Sequence, residues 1–109
     1  MDNSAIIPDK EKAIEIIEYM HSTLQKQGLK QCNIALFGSF LNGNNHKESD
    51  LDMIVISESF EGKDLSERAY MVLRAEDEVR KRYIVPMDIL LKTPEEYENQ
   101  NFFESKIIV

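Results

Sequence analysis

Positive charge is scarce in this chain: 13 Lys and Arg stand against 20 Asp and Glu in 109 residues, a formal net charge of −7. Long nucleic acids are held largely by Lys and Arg neutralising phosphates, so they are not the expected partner. The one tight basic cluster, Arg80-Lys81-Arg82, follows Glu76, Asp77 and Glu78 and reads as the polar face of a helix. Cysteine is nearly absent. Cys32 stands alone, which excludes an intrachain disulfide, and its apolar neighbours mark it as a small buried hydrophobe. A lone thiol fits a reducing compartment. No apolar run approaches the ~20 residues of a membrane helix, and the acidic start Met1-Asp2-Asn3-Ser4 is unlike a secretory signal. No stretch rich in proline, glycine or serine divides the chain, and no repeat is visible. One domain over residues 1–109, cytoplasmic and without membrane association, is the expectation.

What is there alternates between helical and strand patterns. Pro8, Asp9 and Glu11 suit a first helical turn, with proline at N1. Ala13, Ile14, Ile17, Met20, His21 and Leu24 then recur at helical spacing up to a stop at Gly28. Residues 32–37 (CNIALF) read as a buried strand, residues 38–49 as a turn opening a polar loop, and residues 51–57 (LDMIVIS) as a second strand. Asp64 followed by Glu67 is a capping-box pattern. The helix it opens has Leu65, Ala69, Val72, Leu73, Val79 and Tyr83 as its apolar stripe. Residues 85–91 form a third strand with Pro86 at its start or edge, and Thr93-Pro94-Glu95-Glu96 starts a last helix. The order is helix, strand, loop, strand, helix, strand, helix, a mixed α+β fold. The apolar terminus, Phe102 to Val109, must dock on its own sheet, on a partner or on further chain; a last strand or helix end packed on the core is the plain expectation.

Three acids interrupt these strands. Asp50 and Asp52 flank Leu51, and positions i and i+2 of a strand face the same way. Two anions so placed repel unless a cation lies between them, and an open, oxygen-rich site suits Mg²⁺. Asp88 sits inside the third apolar run, a costly place for an unpaired charge. If the third strand lies beside the second, the three carboxylates meet. Gly38 and Ser39 end the first strand, where glycine permits close approach of the backbone to a phosphate and serine can donate. Phosphates on that turn and metals on the carboxylates would share one nucleoside triphosphate. Each piece alone has a plain reading, a chain reversal or a solvated strand end. Their combination points to nucleotide chemistry.

The stretch LFGSF at 36–40 followed by SDLDMIV at 49–55 resembles the signature of the DNA polymerase beta-like nucleotidyltransferase superfamily, and within it the minimal nucleotidyltransferases. That resemblance implies an αβαβαβ core with a small mixed sheet flanked by helices. It implies Gly38, Ser39 and Ser49 for the triphosphate of ATP, and Asp50, Asp52 and Asp88 as catalytic ligands of two Mg²⁺ ions. It further implies transfer of AMP to an acceptor hydroxyl, with the chain acting as antitoxin to a helical HEPN-type partner and a tyrosine of that partner as acceptor, in a homo- or hetero-oligomer. Many relatives carry arginine where Phe40 and Asn42 stand here, which would shift phosphate binding towards Lys47 or a partner.

Two rivals belong to other classes: a binding module that neutralises a partner by docking alone, and a small-molecule transferase of the antibiotic-modifying kind needing a second domain or a dimer cleft. Other chemistries fall away. The spacing GSFLNG lacks the Lys and Ser/Thr of a P-loop at Asn44 and Asn45. His21 and His46 lack companions at zinc-ligand spacing, Cys32 lacks a basic neighbour to activate it, and Tyr19, Tyr70, Tyr83 and Tyr97 read as packing or surface residues.

Overall fold

In the computed structural model, which describes residues 9–46, 49–100 and 103–109, the Asp9 side chain accepts the Lys12 N–H at 2.9 Å and so caps helix α1, Lys10–Lys26. Asp9 is thus the cap, outside the first turn expected of it; Pro8 lies outside the described residues. The buried face of α1 is Ala13, Ile16, Ile17, Met20, Thr23 and Leu24. Ile16 takes the place expected of Ile14, and His21, half-buried, ties α1 to the next strand through its Nε2 and the Cys32 carbonyl, 2.8 Å apart.

Four strands follow: β1 (Asn33–Phe37), β2 (Leu51–Ile56), β3 (Met87–Lys92) and β4 (Ser105–Ile107). They form one mixed sheet in the order β3-β2-β1-β4. β1 runs antiparallel to both β2 and β4, while β3 runs parallel to β2. A parallel pair requires a crossover, supplied here by helix α3, Leu65–Arg82, after a single 3₁₀ turn at Glu58–Phe60. The apolar terminus therefore docks on its own sheet. Beyond β4 itself, Ile108 N–H donates to the Ile34 carbonyl and Ile34 N–H to the Val109 carbonyl.

Alternation along the strands divides the core. Ile34, Leu36, Leu51, Met53 and Val55 face α1 and α3, whereas Ala35, Ile54 and Ile56 face the other side beneath Tyr97 of helix α4, Pro94–Asn99. β2 is buried on both faces over most of its length, as its nearly unbroken apolar run requires. The stripe expected on α3 is corrected: Val72, Ala75 and Val79 are buried, Ala69 is exposed, and Leu65 and Leu73 are 74% and 55% exposed. Each residue turns the helix by about 100°. Leu73 therefore points well away from Val72, and Ala75 keeps the period that Leu73 breaks.

Both expected capping boxes form, Asp64 with Glu67 and Thr93 with Glu96. Glu96 also grips Arg68 through two bonds of 2.6 and 3.1 Å, while Arg68 donates to the carbonyls of Leu91 (3.1 Å) and Lys63 (2.9 Å). This clamp joins α3, β3 and α4. Arg68, then the Thr93 backbone N–H, pulls the Glu96 carboxyl from its ordinary 4.5 to about 2. A depressed acid stabilises the fold above its unfolded value, and that gain disappears as pH falls from about 4.5 towards 2. Since Glu96 is 45% exposed, screening limits the ion pair to about 1 kcal/mol. Glu96→Gln, which keeps the capping box, should lower stability by about that amount at pH 7. Urea titrations should find the deficit gone near pH 2.

Candidate functional site

β1 ends at Phe37, and the chain turns sharply at Gly38, whose φ of 77° and ψ of −155° are open only to glycine. A side chain is excluded a second time: a Cβ there would overlap Asp52 Oδ2 and lie 3.0 Å from its Cγ. Gly38 is thus the floor against which the Asp52 carboxylate rests. The one-turn helix α2, Ser39–Asn42, follows. Leu41 and Asn42 N–H donate to the Gly38 carbonyl, so the N–H groups of Ser39 and Phe40 lead the turn without intrahelical acceptors. Phe40, 1% exposed, packs into the core below and fixes the turn. Ser49 closes the following loop, its Oγ accepting from His46 N–H at 2.8 Å and its N–H donating to the His46 carbonyl at 2.9 Å. Lys47, expected as a possible phosphate ligand, lies outside the described residues.

The acids gather at the same end of the sheet. Asp52 pairs directly with Asp88 across the parallel β2–β3 register, so the two share a face, opposite the one that α1 and α3 cover. Burial raises the Asp52 carboxyl above the ordinary range, reinforced by the charge of Asp88 and then of Asp50. That order follows from geometry: strands lie about 4.8 Å apart, closer than positions i and i+2 of one strand. No ion pair reaches any of the three acids among the described residues. Nor are three or more Asp, Glu, His or Cys gathered there tightly enough to hold a metal ion as they stand. Unscreened carboxylates repel, and Asp50 and Asp88 are both exposed, with room to swing outward. In chemistry the set suits Mg²⁺: hard oxygen donors only, an open side for phosphates and water, and a charge that no ion pair offsets among the described residues.

The same row continues across the sheet. Phe37 pairs with Asp52 and also with Ser105, giving the order Asp88, Asp52, Phe37, Ser105. Phe103 stacks on Phe37 with ring centroids 4.4 Å apart. Neither phenylalanine was picked out by the sequence reading. Strand alternation from Ala35 was the available signal for Phe37, whereas Phe103 needed the position of β4.

The other singled-out groups have local partners. Burial pushes the Cys32 thiol up to about 11, far from a nucleophile's range. Arg80 and Lys81 pair with Glu76 and Asp77, and Arg82 stacks over Tyr19 at 4.9 Å. Tyr83 donates to Glu15 at 2.8 Å, Tyr97 meets Ser105 Oγ at 2.7 Å, and Tyr70 is exposed. Among the described residues no helix is long and apolar enough to cross a membrane.

Two predictions test this geometry. Gly62 also has a positive φ but open space around it, so Gly38→Ala should cost at least about 1 kcal/mol more than Gly62→Ala in chemical denaturation. For Asp52 the sign is reversed from Glu96. An acid raised by the fold weakens it once ionised, so stability is lost as pH rises through its titration. Asp52→Asn should therefore melt higher than wild type at pH 7 in EDTA, and Mg²⁺ should narrow the gap by stabilising wild type alone.

A family model described as nucleotidyltransferase domain matches residues 10–109. Among solved structures, the chain is similar to a protein of Sulfolobus solfataricus assigned provisionally as a nucleotidyltransferase. The two are 17% identical, with a TM-score of 0.60, over 89% of this chain and 82% of the other. A toxin–antitoxin structure with AMP-PNP is also 17% identical, with a TM-score of 0.58, over 85% of this chain and 72% of that one. At this identity the likenesses speak for the fold. No curated protein matches the chain.

Proposed function

The chain belongs to the nucleotidyltransferase domain family, and from that premise we propose that it transfers AMP from ATP to an acceptor hydroxyl. The observation that supports this most is the pairing of Asp52 with Asp88 on one sheet face, beside the Gly38 turn. In this reading residues 10–109 act as one catalytic unit. The N–H and hydroxyl of Ser39 and the leading N–H of Phe40 hold the triphosphate. Ser49 Oγ already accepts from His46, which leaves its own proton to give to a phosphate oxygen. Asp50 and Asp52 would hold two Mg²⁺ ions between them, and Asp88 would hold the one nearer the acceptor. When bound, these ions neutralise charge on the phosphates and on the leaving group.

Transfer is an in-line displacement. The acceptor oxygen bonds to the α-phosphorus as the bond from that phosphorus to the bridging oxygen of the β-phosphate breaks. Pyrophosphate leaves with the bonding pair, and the acceptor proton passes to a carboxylate oxygen of Asp88. Gly38 keeps the Asp52 carboxylate seated beside the turn, so acid and phosphate donors hold a fixed spacing.

In this reading a partner presents the acceptor. The toxin–antitoxin structure with AMP-PNP supports that reading by its fold, as it supports an adenine nucleotide. We take the partner to be a helical HEPN-type toxin, its tyrosine hydroxyl the acceptor, and the setting cytoplasmic. A docking module without catalysis is the rival, favoured by α2, whose last turn has no basic residue.

Incubation with ATP labelled at the α-phosphate, Mg²⁺ and candidate partner should label the partner. Asp52→Asn should cut that labelling by at least about 100-fold. Equal labelling by both proteins overturns the assignment of Asp52. Partner binding without any labelling favours the docking module.

A further inference from the structure

Phe37 stands beside Asp52 on the sheet face that α1 and α3 leave uncovered, since paired positions in a sheet share a face. Phe103 lies over it, with ring planes inclined by 28°. Phe103 as a residue is 37% exposed, so the stack on Phe37 does not bury it, and an accessible aromatic can take a second stacking partner. Its position is set twice, by that stack and by β4, whose first residue Ser105 is bonded to the Tyr97 hydroxyl. Strands lie about 4.8 Å apart, which puts Phe37 about 5 Å across the sheet from Asp52. Phe37 is followed directly by the Gly38 turn, so the Phe37–Phe103 stack adjoins both Asp52 and the turn assigned to the phosphates.

We infer that Phe103, backed by Phe37, is the platform on which the base of the bound nucleotide stacks. Phe103 is then a specificity-determining residue, selecting a nucleoside triphosphate over a bare polyphosphate. The inference rests on the nucleotide site proposed at Gly38, Ser39 and the aspartates. Every base has a π-face, so the platform accepts all four, and purines with their larger overlap bind more tightly.

Calorimetric titration of the full chain with Mg-ATP, and separately with Mg-tripolyphosphate, tests this. Phe103→Ala should weaken Mg-ATP roughly tenfold and leave Mg-tripolyphosphate unchanged, whereas Phe103→Trp should restore Mg-ATP. Phe103→Leu keeps apolar bulk without a π-face and should also lose Mg-ATP affinity, which preserves the test if the alanine variant unfolds. Equal losses for both ligands, or unchanged Mg-ATP binding in the leucine variant, overturn the platform and leave the phosphate site standing. A wild-type protein that binds neither ligand overturns the nucleotide site and the platform with it.

Discussion

A one-residue slip between β2 and β3 would carry Asp88 to the helical face of the sheet and leave Asp52 without its neighbour. The β2–β3 register is therefore the constraint on which the site depends. It is held at both ends of the strand pair. Leu51 N–H donates to the Pro86 carbonyl at 2.7 Å, and Ser57 N–H to the Lys92 carbonyl at 3.0 Å. Pro86 lacks an N–H but has a carbonyl to give, so it serves at the mouth of an edge strand without breaking the ladder. Between the ends, Met53 and Val55 are fully buried and Leu91 nearly so, which fixes which face each strand turns inward. Arg68 reaches the Leu91 carbonyl from α3 and grips Glu96 on α4, holding the crossover helix to the strand it delivers.

The parts of this arrangement legible in the sequence were those decided within a few residues. Asp64 with Glu67 and Thr93 with Glu96 are three-residue patterns whose partners lie within one helical turn, and both form as read. β1 and β2 were visible because burial on both faces leaves short runs of apolar residues. Asp52 and Asp88 stood out as charges inside such runs. Their mutual distance did not, because it depends on a register between segments separated by α3. A last strand or helix end packed on the core was expected of the terminus, but the pairing of β4 with β1 was hidden for the same reason. Ser105, Lys106 and Ile107 have no decisive pattern, and Ile107 pairs with Ala35, far back in the chain. The stripe on α3 failed because apolar residues at the start of a helix can overrun the core they seem to address, as Leu65 does.

The site and the core make opposite demands on a small domain. Burial of Asp52 and the nearby charges of Asp88 and Asp50 all work against ionisation of Asp52. Packing along β2 and the Arg68–Glu96 clamp work in favour of the fold, and the clamp lies towards the other end of β3 from Asp88. The acids can thus stay open to solvent at Asp50 and Asp88 while the apolar side chains between them remain packed. Charge repulsion left unanswered in the protein is then available to favour whatever cation enters.

Phe40 gives the sequence departure a physical meaning. Read from sequence, a phenylalanine in place of arginine is a lost positive charge beside the phosphates. In the fold its side chain is buried in the main core, so it anchors the Gly38 turn from beneath and is turned away from anything bound on it. The deficit of charge rests with Asn42, an exposed residue on a helix with no basic side chain in its last turn. Backbone N–H groups and hydroxyls can orient a triphosphate, but they neutralise little of its charge. In the proposed reaction the remaining neutralisation would come from the metal ions, with Lys47 or cations of the partner that brings the acceptor as further sources.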